Sequence, residues 1–199
     1  MIDMCFLLDT SGSMGPHINE VKQKIKFIVT EVKNQHHDAQ IRFSAVTYRG
    51  KGQENKRIDF MDRESEFIAK IQSLTAGGGS NGGAEDVYSG MKMIAGLSWK
   101  NANRLLNHIG DMPTHGRKYS SDAPRDDHPN ENPDIKSIFE DWTSKFIRYT
   151  FFKITDYCDA MLKEFRRIAP ADFDFKVKVL KDVSHLSPVI RFTATATER

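Results

Sequence analysis

Asp9-Thr10-Ser11-Gly12-Ser13 packs one carboxylate and several hydroxyls into a single tight turn. Gly12 permits a sharp backbone path there, so the alternate side chains Asp9, Ser11 and Ser13 can converge. Oxygen-only donors select hard cations, Mg²⁺ above all, with Mn²⁺ or Ca²⁺ as alternatives. Mg²⁺ keeps several waters and binds through one or two carboxylates, so this trio is incomplete alone. Asp111 is the natural second carboxylate, and the glycine-dense loop Gly77-Gly78-Gly79-Ser80-Asn81-Gly82-Gly83 ahead of Glu85 would join the two. The residues also have plainer readings. Asp9–Ser13 reads as a helix N-terminus whose Ser or Asp caps free amides. Glu85 reads equally as a first-turn acid favoured by the helix dipole. The glycine run lacks the Gly-x-x-x-x-Gly-Lys-Ser/Thr spacing of a phosphate loop.

The elements that must position these residues follow from periodicity. Residues 2–9 form a nearly continuous apolar run ending at an acid, as in a central strand covered on both faces. Ile18, Val21, Ile25, Ile28, Val29 and Val32 recur at helical spacing, which predicts a helix over 16–36 with Pro16 in its first turn. A strand is predicted over 40–48, a polar turn over 50–56, and a short edge strand over 57–61, antiparallel to its predecessor. Helices follow over 64–71 and 85–97, then a buried strand over 103–111 that again ends at an acid. A long polar loop, 112–134, carries Pro113, Pro124, Pro129 and Pro133. Beyond it come a helix over 135–144, a strand over 147–154, a helix over 156–168 and a strand over 173–180. The tail from Ser184 reads as a final helix.

Strands alternating with helices imply an α/β fold: a doubly wound, Rossmann-like, mostly parallel sheet with one short antiparallel edge strand and helices on both faces. Sites in such sheets form beyond the carboxyl ends of the strands, near the topological switch point. Asp9 and Asp111 stand at two such ends.

Bulk properties narrow the classes. The 199 residues fit a single domain spanning 1–199, long enough to bury about 70% of its unfolded-chain surface without a disulfide or metal staple. A net charge of +2 with 28% charged residues is an ordinary surface, without the basicity that marks nucleic-acid binding. No apolar run approaches the roughly 18 residues of a membrane-inserting helix. Cys5 and Cys158 lie far apart in apolar or helical patterns and read as buried thiols, which favours a cytoplasmic setting. His115 and His128 read as solvated or locally bonded, because no His-x-x-x-His or Cys-x-x-Cys spacing supports zinc. Trp99 and Trp142 read as core or interface anchors.

Asp9-Thr10-Ser11-Gly12-Ser13-Met14 after an apolar strand resembles the metal-ion-dependent adhesion site of von Willebrand factor A domains. The Gly-rich turn and Gly110-Asp111-Met112-Pro113 stand where that family places its second and third metal loops. Within the family, the chain is most similar to the A-type domain that accompanies alpha-type (atypical) protein kinases. That likeness is carried by Tyr48-Arg49, Gly77-Gly78-Gly79 with Glu85-Asp86-Val87, Asp111-Met112-Pro113-Thr114-His115-Gly116, Tyr149-Thr150-Phe151-Phe152-Lys153-Ile154 and Met161-Leu162-Lys163-Glu164-Phe165. It runs across residues 2–182. The resemblance implies that Ser11 and Ser13 bind a metal directly, that Asp9 and Asp111 act directly or through water, and that an acidic group of a partner completes the shell. The second loop departs from the pattern: many relatives carry a Thr or an Asp where this chain has Ser80 and Asn81, although Glu85 is retained. An acid is also missing at Gly50.

The expected function is therefore a Mg²⁺-dependent protein-binding module, not an enzyme. Its metal residues would be Asp9, Ser11, Ser13, Asp111, Glu85 and Ser80, its partner a protein that offers a carboxylate, and its context a larger signalling protein. Two alternatives stand beside it. One is a degenerate scaffold that binds partners without metal. The other is a Mg²⁺-dependent phosphohydrolase with Asp9 as nucleophile.

Overall fold

The computed structural model describes residues 1–81 and 83–180. Its centre is β1 (Ile2–Asp9), every residue of which is buried. Successive side chains of a strand point to opposite faces, and here both faces are apolar. Met4, Phe6 and Leu8 enter one core with Val21, Ile25 and Val29 of α1 (Ile18–Gln35) and Phe67 of α2 (Glu64–Gln72). Cys5 and Leu7 enter the other, with Val87 and Met91 of α3 (Val87–Ala95), Phe139 and Trp142 of α5 (Ile135–Ser144), and Met161 and Phe165 of α6 (Asp159–Ile168).

The remaining strands are β2 (Ile41–Tyr48), β3 (Arg57–Met61), β4 (Asn103–Gly110), β5 (Ile147–Lys153) and β6 (Phe175–Val179). They make one six-stranded sheet in the order β3-β2-β1-β4-β5-β6. All neighbours pair parallel except the β2–β3 edge, which is antiparallel and carries a register shift between Phe43 and Ala45. The α/β architecture read from periodicity is the one observed, including its antiparallel edge.

From β1 the chain moves outward to β2 and β3, then returns to place β4 on the other side of β1. The connections leaving β1 and β4 therefore depart to opposite faces, and a crevice opens between them at the carboxyl ends of the strands. Leu8 pairs with Ile109 in register, so Asp9 and the residues that follow Ile109 share that end of the sheet.

Several boundaries differ from expectation. Pro16 lies in a turn after a short 3₁₀ segment (Gly12–Met14), and α1 begins at Ile18. Glu85 precedes α3 instead of opening it, because Asp86 is the N-cap and accepts from the Ser89 amide at 3.1 Å. The long polar segment 112–134 contains a one-turn helix, α4 (Arg117–Ser120). The helix expected beyond Ser184 falls outside the described residues. Cys5 and Cys158 are both buried free thiols, as read from sequence, and Trp142 is fully buried in the core. No helix among the described residues is long and apolar enough to cross a membrane.

Candidate functional site

Three buried carboxyl groups gather at the crevice: Asp9, Asp111 and Glu85. Asp9 ends β1, and its Oδ1 accepts the Ser11 amide at 2.8 Å, which curls the chain back over the strand end. Oδ2 of Asp9 is buried without a hydrogen-bond partner. The Ser11 and Ser13 hydroxyls lie 3.0 Å apart. Ser11 is the N-cap of the 3₁₀ segment but makes no side-chain capping bond, and α1 has no side-chain cap either. The hydroxyls are thus directed at each other and not at helix amides, so the capping explanation does not account for them.

Asp111 follows β4 directly. Its Oδ1 is also buried without a partner, and the Ser13 hydroxyl lies beside its carboxyl group. Thr155 donates its hydroxyl to the Asp111 carbonyl, and the Ile154 amide bonds the Gly110 carbonyl at 3.2 Å, so the start of this loop is anchored to the end of β5. Burial raises the pKa of Asp9, and the Asp111 charge raises it further. The Asp111 pKa is raised as well, chiefly by burial, with the Ser13 hydroxyl opposing the shift. Two carboxyls that share a dry site resist joint ionisation unless a cation offsets them.

Glu85 is pushed up to about 9 by burial and by the nearby charges of Asp9, Asp111 and Asp127. Its carboxylate turns to the Ser80 amide, which bonds both oxygens at 3.0 and 3.1 Å. The first-turn explanation for Glu85 fails, since the residue precedes the helix cap and is committed to the loop. Ser80 enters the site through its backbone amide.

Between Glu85 and Ser11 lies Gly79, in the left-handed region at φ 95°; a Cβ there would come within 2.6 Å of Glu85 Oε1 and 2.8 Å of Ser11 Cβ. Gly12 donates its amide to the Gly78 carbonyl at 2.7 Å, and Gly77 donates to Thr10 at 3.0 Å. The glycine loop therefore zips onto the first loop by backbone contact. A substituted chain could not approach so closely. The same packing explains why position 50 is a glycine in this chain. A Cβ on Gly50 would lie 2.5 Å from the Gly79 carbonyl carbon and 2.8 Å from the Ser80 nitrogen.

Sequence reasoning missed two positioning groups. Arg49 bridges the Thr10 hydroxyl (3.1 Å) and the Thr75 carbonyl (2.8 Å), joining the first loop to the segment that leads into the glycine run. Beneath the crevice, His108 is fully buried between the Tyr48 hydroxyl (2.8 Å) and the Tyr149 hydroxyl (2.7 Å). Burial pushes that imidazole down to about 3, so it stays neutral. Gly110 leaves the room this network needs, since a Cβ there would sit 2.6 Å from the Tyr48 hydroxyl. The sequence offers no signal for this role, since His108 is only one position within a buried strand.

A central parallel sheet, a crevice at the switch point and converging Asp, Ser and Ser side chains define a class of α/β interaction domain. Residues 3–121 match the family model of the von Willebrand factor type A domain, and the chain belongs to that family. Its domains generally serve as protein-interaction modules. One curated relative, the alpha-protein kinase vwkA of Dictyostelium discoideum, is 31% identical over 181 residues. The match covers 83% of this chain and 28% of that protein, so the chain spans little more than a quarter of its relative's length. Among solved structures, the VWA domain of SpRpn10 superposes with a TM-score of 0.65 at 12% identity, covering 95% of this chain and 96% of that one. The vWF domain of the type V pili tip protein Mfa5 from Porphyromonas gingivalis gives 0.69 at 12% identity, covering 100% and 96%. At such identities the superpositions establish the fold alone.

Proposed function

We propose that this chain is a divalent-metal-dependent protein-binding module whose site lies at Asp9, Ser11, Ser13 and Asp111. The observation that carries the reading is the pair of buried carboxyl oxygens, Asp9 Oδ2 and Asp111 Oδ1, that lack partners beside two hydroxyls 3.0 Å apart. Buried polar atoms in folded proteins are satisfied as a rule. A hard cation satisfies carboxylate and hydroxyl oxygens together, and Mg²⁺ fits this donor set best, with Mn²⁺ or Ca²⁺ as substitutes. Ser11 and Ser13 would hold it directly, with Asp9 and Asp111 supplying the charge. Glu85, held by Ser80, would support the site from behind Gly79. When bound, the ion supplies an electrophilic position able to accept an oxygen ligand from outside the chain.

A protein carboxylate is the ligand that suits such a position. Gly12 and Gly78 are exposed and Ser13 partly so, which leaves the approach to the site on that side. The complete burial of Asp9 and the bond from the Ser11 amide favour binding over phosphoryl chemistry, since a nucleophile needs an open line of attack. The likeness to vwkA supports a place in a larger signalling protein, as a domain that recruits substrates or assemblies.

The experiment is a calorimetric titration of Mg²⁺ and Mn²⁺ into the chain and into Asp9→Ala. Saturable binding, lost in the variant, supports the reading. Equal binding by both chains, or none at millimolar metal even with an acidic peptide added, overturns it in favour of a scaffold that binds without metal.

A further inference from the structure

At the amino-terminal end of the sheet, opposite the Asp9 crevice, four cations from four segments line one cavity of about 630 Å³. Lys33 comes from the last turn of α1, Arg42 from the start of β2, Arg63 from the N-cap of α2, and Lys100 from the turn ahead of β4. Asp62 is the one acid among the described lining residues. Neither the core nor the Asp9 site accounts for this gathering of charge.

Two of the four are held in place by the buried Asp3. Its carboxylate accepts Arg42 Nε and Nη2 at 2.9 and 2.7 Å and the Lys100 amide at 2.7 Å, which clamps β2 to the turn ahead of β4. Arg42 Nη2 also reaches the Ser98 carbonyl at 3.0 Å, and its guanidinium carbon lies 4.6 Å from the centre of the Phe60 ring. These bonds engage Nε and Nη2 and leave Nη1 unused. A guanidinium already fixed in this way loses little further freedom when it meets a ligand. The other cations are scarcely compensated. Arg63 has one long contact, 3.7 Å to Glu66, between exposed side chains, and such pairs contribute little. The Lys33 and Lys100 ammonium groups make neither an ion pair nor a hydrogen bond among the described residues. A solvated lysine needs no concave neighbour, whereas here two lysines without counterions share a recess with two arginines. The recess concentrates a field that favours an anion.

We propose that this cavity binds the phosphate group of a phosphorylated side chain on a protein partner. Such a group carries a charge of about −1.5 to −2 and three acceptor oxygens, which suit ammonium groups set beside a fixed guanidinium. The rest of the lining favours a side chain over other carriers of phosphate. No aromatic residue is among the described lining residues, so a nucleobase would find nothing to stack on. Ala39 and Ile41 are the only apolar ones, too little surface for an acyl chain. Asp62, exposed beside the cations, can accept an amide or pair with a basic residue that flanks the phosphorylated one. The sequence concealed the group because its members stand on four separate elements, with no spacing to unite them.

The inference does not rest on the metal reading, and Asp9→Ala keeps the two apart. The test exposes the full chain, in about 0.15 M salt, to peptide libraries with phosphoserine, phosphothreonine or phosphotyrosine fixed between randomised flanks. The same libraries without phosphate serve as the comparison, and retained peptides are then titrated by calorimetry. Expected are retention of a phosphorylated library alone and competition by inorganic phosphate. Lys33→Gln and Lys100→Gln, which remove no bond within the fold, should each weaken binding by roughly ten-fold or more. Asp9→Ala should bind as the native chain does, and so should Lys26→Gln, at an exposed lysine of α1 outside the cavity. An equal loss in Lys26→Gln would overturn the proposal, because bulk charge would then be responsible. So would equal retention with and without phosphate, or no retention of any library. Binding of an inositol polyphosphate or of anionic vesicles in place of the phosphopeptides would overturn the assignment to a protein partner.

Discussion

Asp9 and Asp111 close the ends of adjacent parallel strands, and each keeps one buried carboxyl oxygen without a hydrogen-bond partner. Burial raises the pKa of both, and the Asp111 charge adds to the shift at Asp9. Asp3 and Glu85, also buried, are each held by hydrogen bonds, so the unpartnered oxygens of this pair are an uncompensated cost whose consequences can be measured.

Stability of the chelated chain should depend on pH in the opposite sense to an ordinary salt-bridged protein. The carboxyls of Asp9, Asp111 and Glu85 have folded-state pKa values above their unfolded ones, with Glu85 raised from 4.5 to about 9. The folded state therefore holds more protons than the unfolded one across that window, and stability falls as pH rises through it. Thermal melts in EDTA between pH 5 and 9 should show the melting temperature declining. Adding Mg²⁺ should flatten the decline, with a benefit that grows with pH and protons released on binding. A flat EDTA profile would contradict the raised values.

Gly79→Ala should harm both fold and site. Its φ of 95° is strained for any residue with a Cβ, and that Cβ would press on Glu85 and Ser11. The expected loss is about 1–3 kcal/mol, read as a lower urea midpoint, together with weakened metal binding. Gly50→Asp should also destabilise, because the Gly79–Ser80 backbone occupies the space its side chain needs.

At the opposite end of the sheet, Asp3 is fully buried and forms a two-point contact with Arg42 at 2.9 and 2.7 Å. It also accepts from the Lys100 and Asn101 amides and the Asn101 side chain. Burial opposes its ionisation, but these partners hold its pKa below the usual value. Its contribution is present above the unfolded pKa and is lost as pH falls through the folded one. Asp3→Ala should cost about 3–5 kcal/mol by leaving the Arg42 charge unpaired. Metal affinity measured below the melting temperature should be unchanged, which would mark Asp3 as purely structural.

Phe146 should be replaceable with a gain. It sits just past the end of α5 at φ 53°, and the residue is 80% exposed. Glycine is the residue that position favours, and Phe146→Gly should stabilise by about 1 kcal/mol. For a domain of this size that is a rise of roughly 2–4 °C in melting temperature by calorimetry.

The strands and helices were legible because burial leaves a period in the sequence. The nearly continuous apolar run of Ile2–Leu8, broken by Asp3 alone, demands cover on both faces, and the 3.6-residue recurrence from Ile18 to Val32 demands a helix to provide some of it. Asp9, Ser11 and Ser13 were legible as a group because a single turn holds them, and Asp111 because an acid ends a second apolar strand. Boundaries were less so: Pro16 and Glu85 both fit a helical pattern, yet local turns and the Asp86 cap excluded them from the helices.

Local sequence therefore determined the sheet, its edge strand and the first-loop donors, since those depend on neighbours within a turn or a strand. Only the tertiary structure decided what the glycine loop does, how tightly Gly50 packs against it, and that the Asp126 carboxylate holds His115. Those relationships depend on backbone approach and side-chain direction between segments far apart in the chain, and neither leaves a period or a spacing to read.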